Sequence, residues 1–149
     1  MPGFMKPCVA VISAFMPVLA AGIAPAAAQD ADMAQIDSVP GGLSTILQNG
    51  NQNDASVNQL AVQSGMAFGQ NQSLITQSGD DNRAAVEQEG SLNSAAIAQN
   101  GSNNDGAILQ MNSGHSAQLQ QSGNGLSIKI EQYGAGIPGG APVVVTQGN

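Results

Sequence analysis

The side chains that recur by rule in this 149-residue chain are amides. From Gln77 a glutamine returns every eleven residues, at Gln88, Gln99, Gln110, Gln121 and Gln132, and Gln48 and Gln59 keep the same interval upstream. Five residues after the glutamine an asparagine recurs, at Asn53, Asn82, Asn93 and Asn104. A primary amide carries two donors and an acceptor oxygen with two lone pairs. Identical amides stacked at strand spacing can therefore bond their own kind above and below, as in the ladders of cross-β stacks. The chemistry on offer is self-recognition.

Other chemistry has no constellation to carry it. His115 is the only histidine, and it occupies the asparagine slot of its arc, so it reads as a ladder substitute. No His, Cys or paired carboxylate lies at metal-ligand spacing. Asp80-Asp81 sits on a turn and reads as solvated. The calcium-binding nonapeptide signature, the nucleophile elbow and the phosphate loop are all absent. No catalytic residue, cofactor site or metal site is expected, and the chain does not read as an enzyme. Nucleic acid is also excluded: Tyr133 and Phe68 are too few for stacking platforms, and three basic residues against ten acids leave no electrostatic footprint.

The elements that would position the amides follow from the period. Fixed-interval self-similarity names a repeat architecture. The core arcs run from Gln77 to Gln132 and share one grammar. Two residues after the glutamine is usually glycine, at Gly50, Gly79, Gly90, Gly101, Gly123 and Gly134. Glycine tolerates the positive φ of a tight turn. Seven after is small: Ala55, Ala84, Ala95, Gly106, Ala117. Nine after is aliphatic: Val57, Val86, Ile97, Ile108, Leu119, Ile130. Offsets five, seven, nine and eleven differ by two, so in a strand they share one face. Each arc is then a turn of about four residues and a strand with Asn, small, aliphatic and Gln inward. The nine charges of the repeat region all avoid these offsets. The arrangement requires that, because an unpaired buried charge is prohibitive.

Two arcs of eleven make one closed turn, which predicts an all-β solenoid of stacked strand-turn-strand repeats with a period of twenty-two. Positions one such period apart stack about 4.8 Å apart. Asn82 then meets Asn104, Val86 meets Ile108 and Ile130, and Gln88 meets Gln110 and Gln132. Outside, Arg83 is placed beside Asp105 as a weak cross-rung ion pair. Two faults interrupt the period. Gln59 to Gln70 fits an arc with Ser64, Met66 and Phe68 inward, yet Gln70 to Gln77 is only seven residues. Either the sheet shifts by one arc or a loop between Gln59 and Gln77 absorbs the difference. Gln132 to Gln147 is four residues too long, and Ala141, Val143, Val145 and Gln147 restore an inward strand.

Three segments are expected: a secretory signal peptide at 1–28, an acidic flexible leader at 29–42, and the repeat domain at 43–149. Lys6 supplies the basic start, Val9 to Ala26 an apolar stretch broken by Pro17 and Pro25, and Ala26-Ala27-Ala28 a cleavage site. The apolar stretch is too short and too broken for a retained span, so the mature chain has none. Cys8, the only cysteine, would leave with it. The leader carries Asp30, Asp32 and Asp37, shows no repeat phase, and ends in Pro40-Gly41-Gly42. Neither end of the array shows a helix or charged cap. Open, mutually complementary ends propagate as a filament. The polymer would be cross-β, amyloid-like.

The arc Q-x-G-x-x-N-x-A-x-[VI]-x-Q resembles the curlin repeat, best at Gln77–Gln88, Gln88–Gln99 and Gln48–Gln59. The resemblance spans Gln48 to Gln132 and includes the secretory leader. It implies a subunit of curli, an extracellular functional amyloid of cell-surface fibres and biofilm matrix used in adhesion. It also implies an outer-membrane export pore, periplasmic helper proteins and a second curlin subunit as partners. The repeat Gln and Asn positions would drive assembly. The asparagine is lost at Ser64, His115 and Leu126, and the runs NRAAVEQEG and VVVTQ lean slightly to the minor, nucleating subunit. The alternative is a monomeric secreted solenoid binding a repetitive surface such as ice or polysaccharide. That wants a regular outward array of Thr or aromatics, and the outward offsets vary.

Overall fold

A computed structural model of the chain describes residues 8–14, 32–38, 42–60, 70–138 and 140–149. The described residues form eleven strands and no helix. They are β1 (Cys8–Ala14), β2 (Met33–Ser38), β3 (Leu43–Gly50), β4 (Asp54–Leu60), β5 (Gln72–Ser78), β6 (Arg83–Glu89), β7 (Ser94–Asn100), β8 (Asp105–Met111), β9 (Ser116–Ser122), β10 (Ser127–Gln132) and β11 (Val143–Gly148).

Strands alternate between two sheets. Sheet A runs β1-β3-β5-β7-β9-β11 and sheet B runs β2-β4-β6-β8-β10. All pairs are parallel except β1 with β3. Strand, turn, strand, turn therefore climbs one rung at a time through five rungs, from β2–β3 to β10–β11. This is the β-solenoid expected from the two-arc period: Ser94 pairs with Ser116 and Arg83 with Asp105 in the ladders.

The burial pattern alternates strictly from β3 to β9, as eBiBiBe in β7. The inward residues form a thin core between the sheets: Ile46, Ile75, Ile97 and Leu119 on one wall, and Val57, Val86, Ile108 and Ile130 on the other. Burying such a side chain contributes roughly 1.5–3 kcal/mol. None of the nine repeat-region charges is buried.

Two expectations change and one open alternative is decided. The leader at 29–42 is not without phase: Met33–Ser38 is a rung, with Ile36 stacked on Val57. The reason lies in Asp32, Ala34, Ile36 and Ser38, which repeat the Asn, small, aliphatic, Gln order with Asp for Asn and Ser for Gln. The short interval is absorbed between strands, with no shift of the sheet. β5 stacks on β3 with Gln77 over Gln48. That step covers 29 positions, against 22 from Gln77 to Gln99, so the connection carries a surplus of seven. Ser64, Met66 and Phe68 lie outside the described residues. Finally, Arg83 pairs with Asp54, not Asp105, at 3.5 Å, with both side chains exposed.

Of the expected signal segment only 8–14 is described, as β1 on the edge of sheet A, and the cleavage site lies outside the described residues. β11 keeps the expected phase, with Val143 on Ala117 and Gln147 on Gln121. It is poorly covered nonetheless, with Val143 47% exposed. β11 ends its sheet, and no described strand of sheet B lies beyond β10 to cover it from the far side, although Val145 still packs against the core.

Candidate self-assembly ladders and the ends of the stack

The inward glutamines form two ladders. On sheet A, Gln48 Nε2 donates to Gln77 Oε1, Gln77 to Gln99 and Gln99 to Gln121, at 2.8–2.9 Å. On sheet B, Gln59 donates to Gln88, Gln88 to Gln110 and Gln110 to Gln132, at 2.7–2.8 Å. Most of these amides spend a second N–H across the core, on a backbone carbonyl at the start of the facing strand. Gln99 bonds Arg83 O, Gln121 bonds Asp105 O, and Gln110 bonds Ser94 O. This cross-bond explains the small residue at offset seven. A Cβ added to Gly106 would lie 2.9 Å from Gln121 Oε1 and 3.0 Å from Gln99 Nε2.

The asparagines form ladders of the opposite sense. Asn82 and Asn104 each donate backwards, through backbone N–H and Nδ2, to the Oδ1 of the asparagine one rung before, Asn53 and Asn82. Each also reaches forward from Nδ2 to a turn-glycine carbonyl, as Asn53 does: Asn53 to Gly79, Asn82 to Gly101 and Asn104 to Gly123. Asp32 begins this column and accepts from Asn53. Leu126 ends it, with only its backbone N–H on Asn104 Oδ1.

His115 copies its neighbour atom for atom. Its N–H bonds Asn93 Oδ1, and Nε2 lies 2.9 Å from Met111 O and 2.8 Å from Gly134 O. Asn93 Nδ2 meets the equivalent pair, Glu89 O and Asn112 O. Both partners of the ring nitrogen are acceptors, so Nε2 carries the proton.

The curlin associated repeat matches residues 67–90 and 79–110. Over these residues the chain is similar to the repeat of the curlin family. No curated protein and no solved structure matches it.

In these arcs the turn glycines are fixed twice over. Gly79 has φ 110° and Gly101 φ 126°. A Cβ on either would overlap the carbonyl of the turn glycine one rung on. Asn112 takes the glycine place in one arc, at φ 79°. A second left-handed position, four after the glutamine, escaped the sequence grammar because its residue type varies: Gln52, Asp81, Leu92 and Asn103 all have φ of 56–60°.

Counting from Gln70 also hid the rung Asn71, Ser73, Ile75, all buried. Read backwards from Gln77 it has the common spacing. Ser73 Oγ meets Ser44 Oγ at 3.0 Å, continuing the small-residue column.

The ladders have chemically distinct ends. Their glutamine donors all point towards the C-terminal rungs, so the first rungs show oxygens. Gln48 Oε1 and Gln59 Oε1 are buried without a hydrogen-bond partner. The last sheet B amide, Gln132, gives one N–H to Ser116 O, and no described rung stands beyond it to take the other. The outer charges stay in solvent. On β10, Glu131 raises the Lys129 pKa, while Lys129 and then Tyr133 hold the Glu131 carboxyl below its ordinary value. Among the described residues no three His, Cys, Asp or Glu gather as metal ligands.

Proposed function

We propose that this chain is a curli-like, self-assembling subunit of an extracellular functional amyloid fibre, exported to the cell surface and used in adhesion and biofilm matrix. One observation carries the reading: the glutamine ladders run one way through the rungs, and they leave unpartnered acceptors at Gln48, Gln59 and Gln147 and a spare N–H on Gln132. A buried unsatisfied acceptor costs about 1–3 kcal/mol. A second copy stacked head to tail pairs the open edges of β10 and β11, offers Gln132 and Gln147 a further rung and extends both sheets. Such a contact does not close on itself, so it repeats.

The residues assigned to assembly are the ladder amides Gln48, Asn53, Gln59, Gln77, Asn82, Gln88, Asn93, Gln99, Asn104, Gln110, Gln121 and Gln132. The aliphatic column and the turn glycines hold them in register. The segment 1–28 is assigned as a cleaved signal and 43–149 as the repeat domain, whose first rung reaches back into 29–42 at Met33–Ser38. By resemblance alone, an export pore, periplasmic helpers and a second curlin are the proposed partners, and the slight lean is to the nucleating subunit. Incubating the purified chain at micromolar concentration tests the reading. Thioflavin-binding fibres are expected, and they should seed a second curlin if this chain nucleates. A persistent monomer that binds a repetitive surface would favour the alternative.

A further inference from the structure

The two outer faces differ in a way the repeat does not require. β3, β5, β7, β9 and β11 contain no Asp, Glu, Lys or Arg at all. Every strand charge of the rungs is on sheet B: Asp37, Asp54, Glu87, Glu89, Asp105 and Glu131 against Arg83 and Lys129, a net −4. Sheet A also carries a contiguous outward block in which Thr45, Leu74 and Ala96 stand side by side in one row, and Leu47, Thr76 and Ala98 in the next. All six are at least partly exposed, and Leu74 is 43% exposed. The block steps from large side chains on the early rungs to alanines on β7.

We propose that the outer face of sheet A is the lateral contact between two filaments of this chain, face to face and antiparallel. The inference rests on the fibre reading above. Charge selects the face. Sheets pack about 10 Å apart, which is about one Debye length at physiological salt. Two sheet B faces would bring net negative surfaces together at every subunit, and the cost grows with filament length. Two sheet A faces meet without that cost. Shape selects the orientation. A two-fold axis between β5 and β7 sets Leu74 of one copy over the Ala96 hollow of the other, a self-complementary contact.

The area selects the assembly state. Five strands of about seven residues span roughly 500 Å². That is below the roughly 800 Å² per partner of a standard stable interface. Single copies therefore stay apart and filaments pair, because polymerisation multiplies the contact.

The test compares fibres of the wild-type chain with two sheet A variants and one sheet B control. Ala96→Glu combined with Thr76→Glu charges the block itself. Gln118→Glu combined with Gln120→Glu charges the same face at exposed positions with no change in side-chain size. Asn58→Asp combined with Ser127→Asp adds the same charge to sheet B. Electron microscopy and low-speed sedimentation read pairing, while thioflavin kinetics and fibre diffraction read elongation. Wild type and the sheet B control should pair and bundle. Both sheet A variants should elongate with unchanged kinetics yet remain single filaments, and high salt should restore pairing in the Gln118/Gln120 variant. Bundling unchanged in the sheet A variants, lost in the sheet B control, or absent in wild type overturns this inference alone. A wild type that forms no fibre overturns the fibre reading and this inference with it.

Discussion

A buried amide is destabilising alone and stabilising in a column. Gln110 shows the difference: it takes a hydrogen bond from Gln88, gives one to Gln132 and gives another to Ser94 O. Gln110→Ala removes all three and leaves Gln132 Oε1 and Ser94 O without them. The expected loss is on the order of 1–3 kcal/mol for each stranded group. Ser102 lies in a turn and bonds through its backbone, its N–H to Asn124 Oδ1 and its carbonyl from Gly125 N–H, both of which an alanine keeps. Gln110→Ala should therefore lengthen the thioflavin lag far more than Ser102→Ala. Equal lags would mean that the inward phase is wrong. Leu92 makes the opposite case. It is 46% exposed and holds φ at 60°, a conformation that costs a non-glycine residue about 1–2 kcal/mol. Leu92→Gly should raise the denaturation midpoint of the soluble chain, by up to about 1 kcal/mol in stability. A lower midpoint would mean that the exposed side chain contributes more than its backbone costs.

At the scale of the element, turns determine whether rungs can stack. Gly79→Ala meets both a positive φ and the neighbouring Gly101 carbonyl. Gly125 has φ 67° but no atom within 4 Å of an added Cβ. Gly79→Ala should block folding and assembly, while Gly125→Ala should only slow them. Similar behaviour would show that conformation, and not contact between rungs, makes glycine necessary. Much of this was legible in the sequence, because a period of eleven and an offset rule suffice to name inward residues from Gln77 to Gln132. The rungs at Met33–Ser38 and Gln72–Ser78 were less legible for a physical reason. Backbone pairing and an aliphatic residue define a rung, while the glutamine only closes it. Ile36 and Ile75 each stack on the aliphatic column, yet one strand ends in Ser38 and the other follows surplus residues. The left-handed position four after each glutamine was invisible because solvent lets its side chain vary.

The same distinction makes a prediction about length. Deleting 61–67 brings the Gln48-to-Gln77 spacing from 29 down to 22, the spacing of Gln77 and Gln99, without touching any described strand. Loop closure entropy changes slowly with length, about 0.6 kcal/mol per doubling. The shortened chain should assemble as fast as wild type or faster, and loss of assembly would assign those residues a part in the core.

At the scale of the whole molecule, the described rungs form a stack without a closed end. Sheet B stops at β10 and sheet A at β11, each with one unpaired edge, and the ladder amides run in register through the rungs between. Nothing in this geometry distinguishes adding a sixth rung from adding a second copy. Net charge is −7, and the strand charges of the rungs lie on sheet B alone, which leaves the outer face of sheet A free of that repulsion. The central claim is that copies continue the solenoid end to end, with strands perpendicular to the fibre axis. X-ray diffraction from aligned fibres of the purified chain tests it most directly. A meridional reflection at about 4.8 Å and an equatorial one at about 10 Å are predicted. Fibres lacking the meridional reflection, or a chain that stays monomeric, would contradict it.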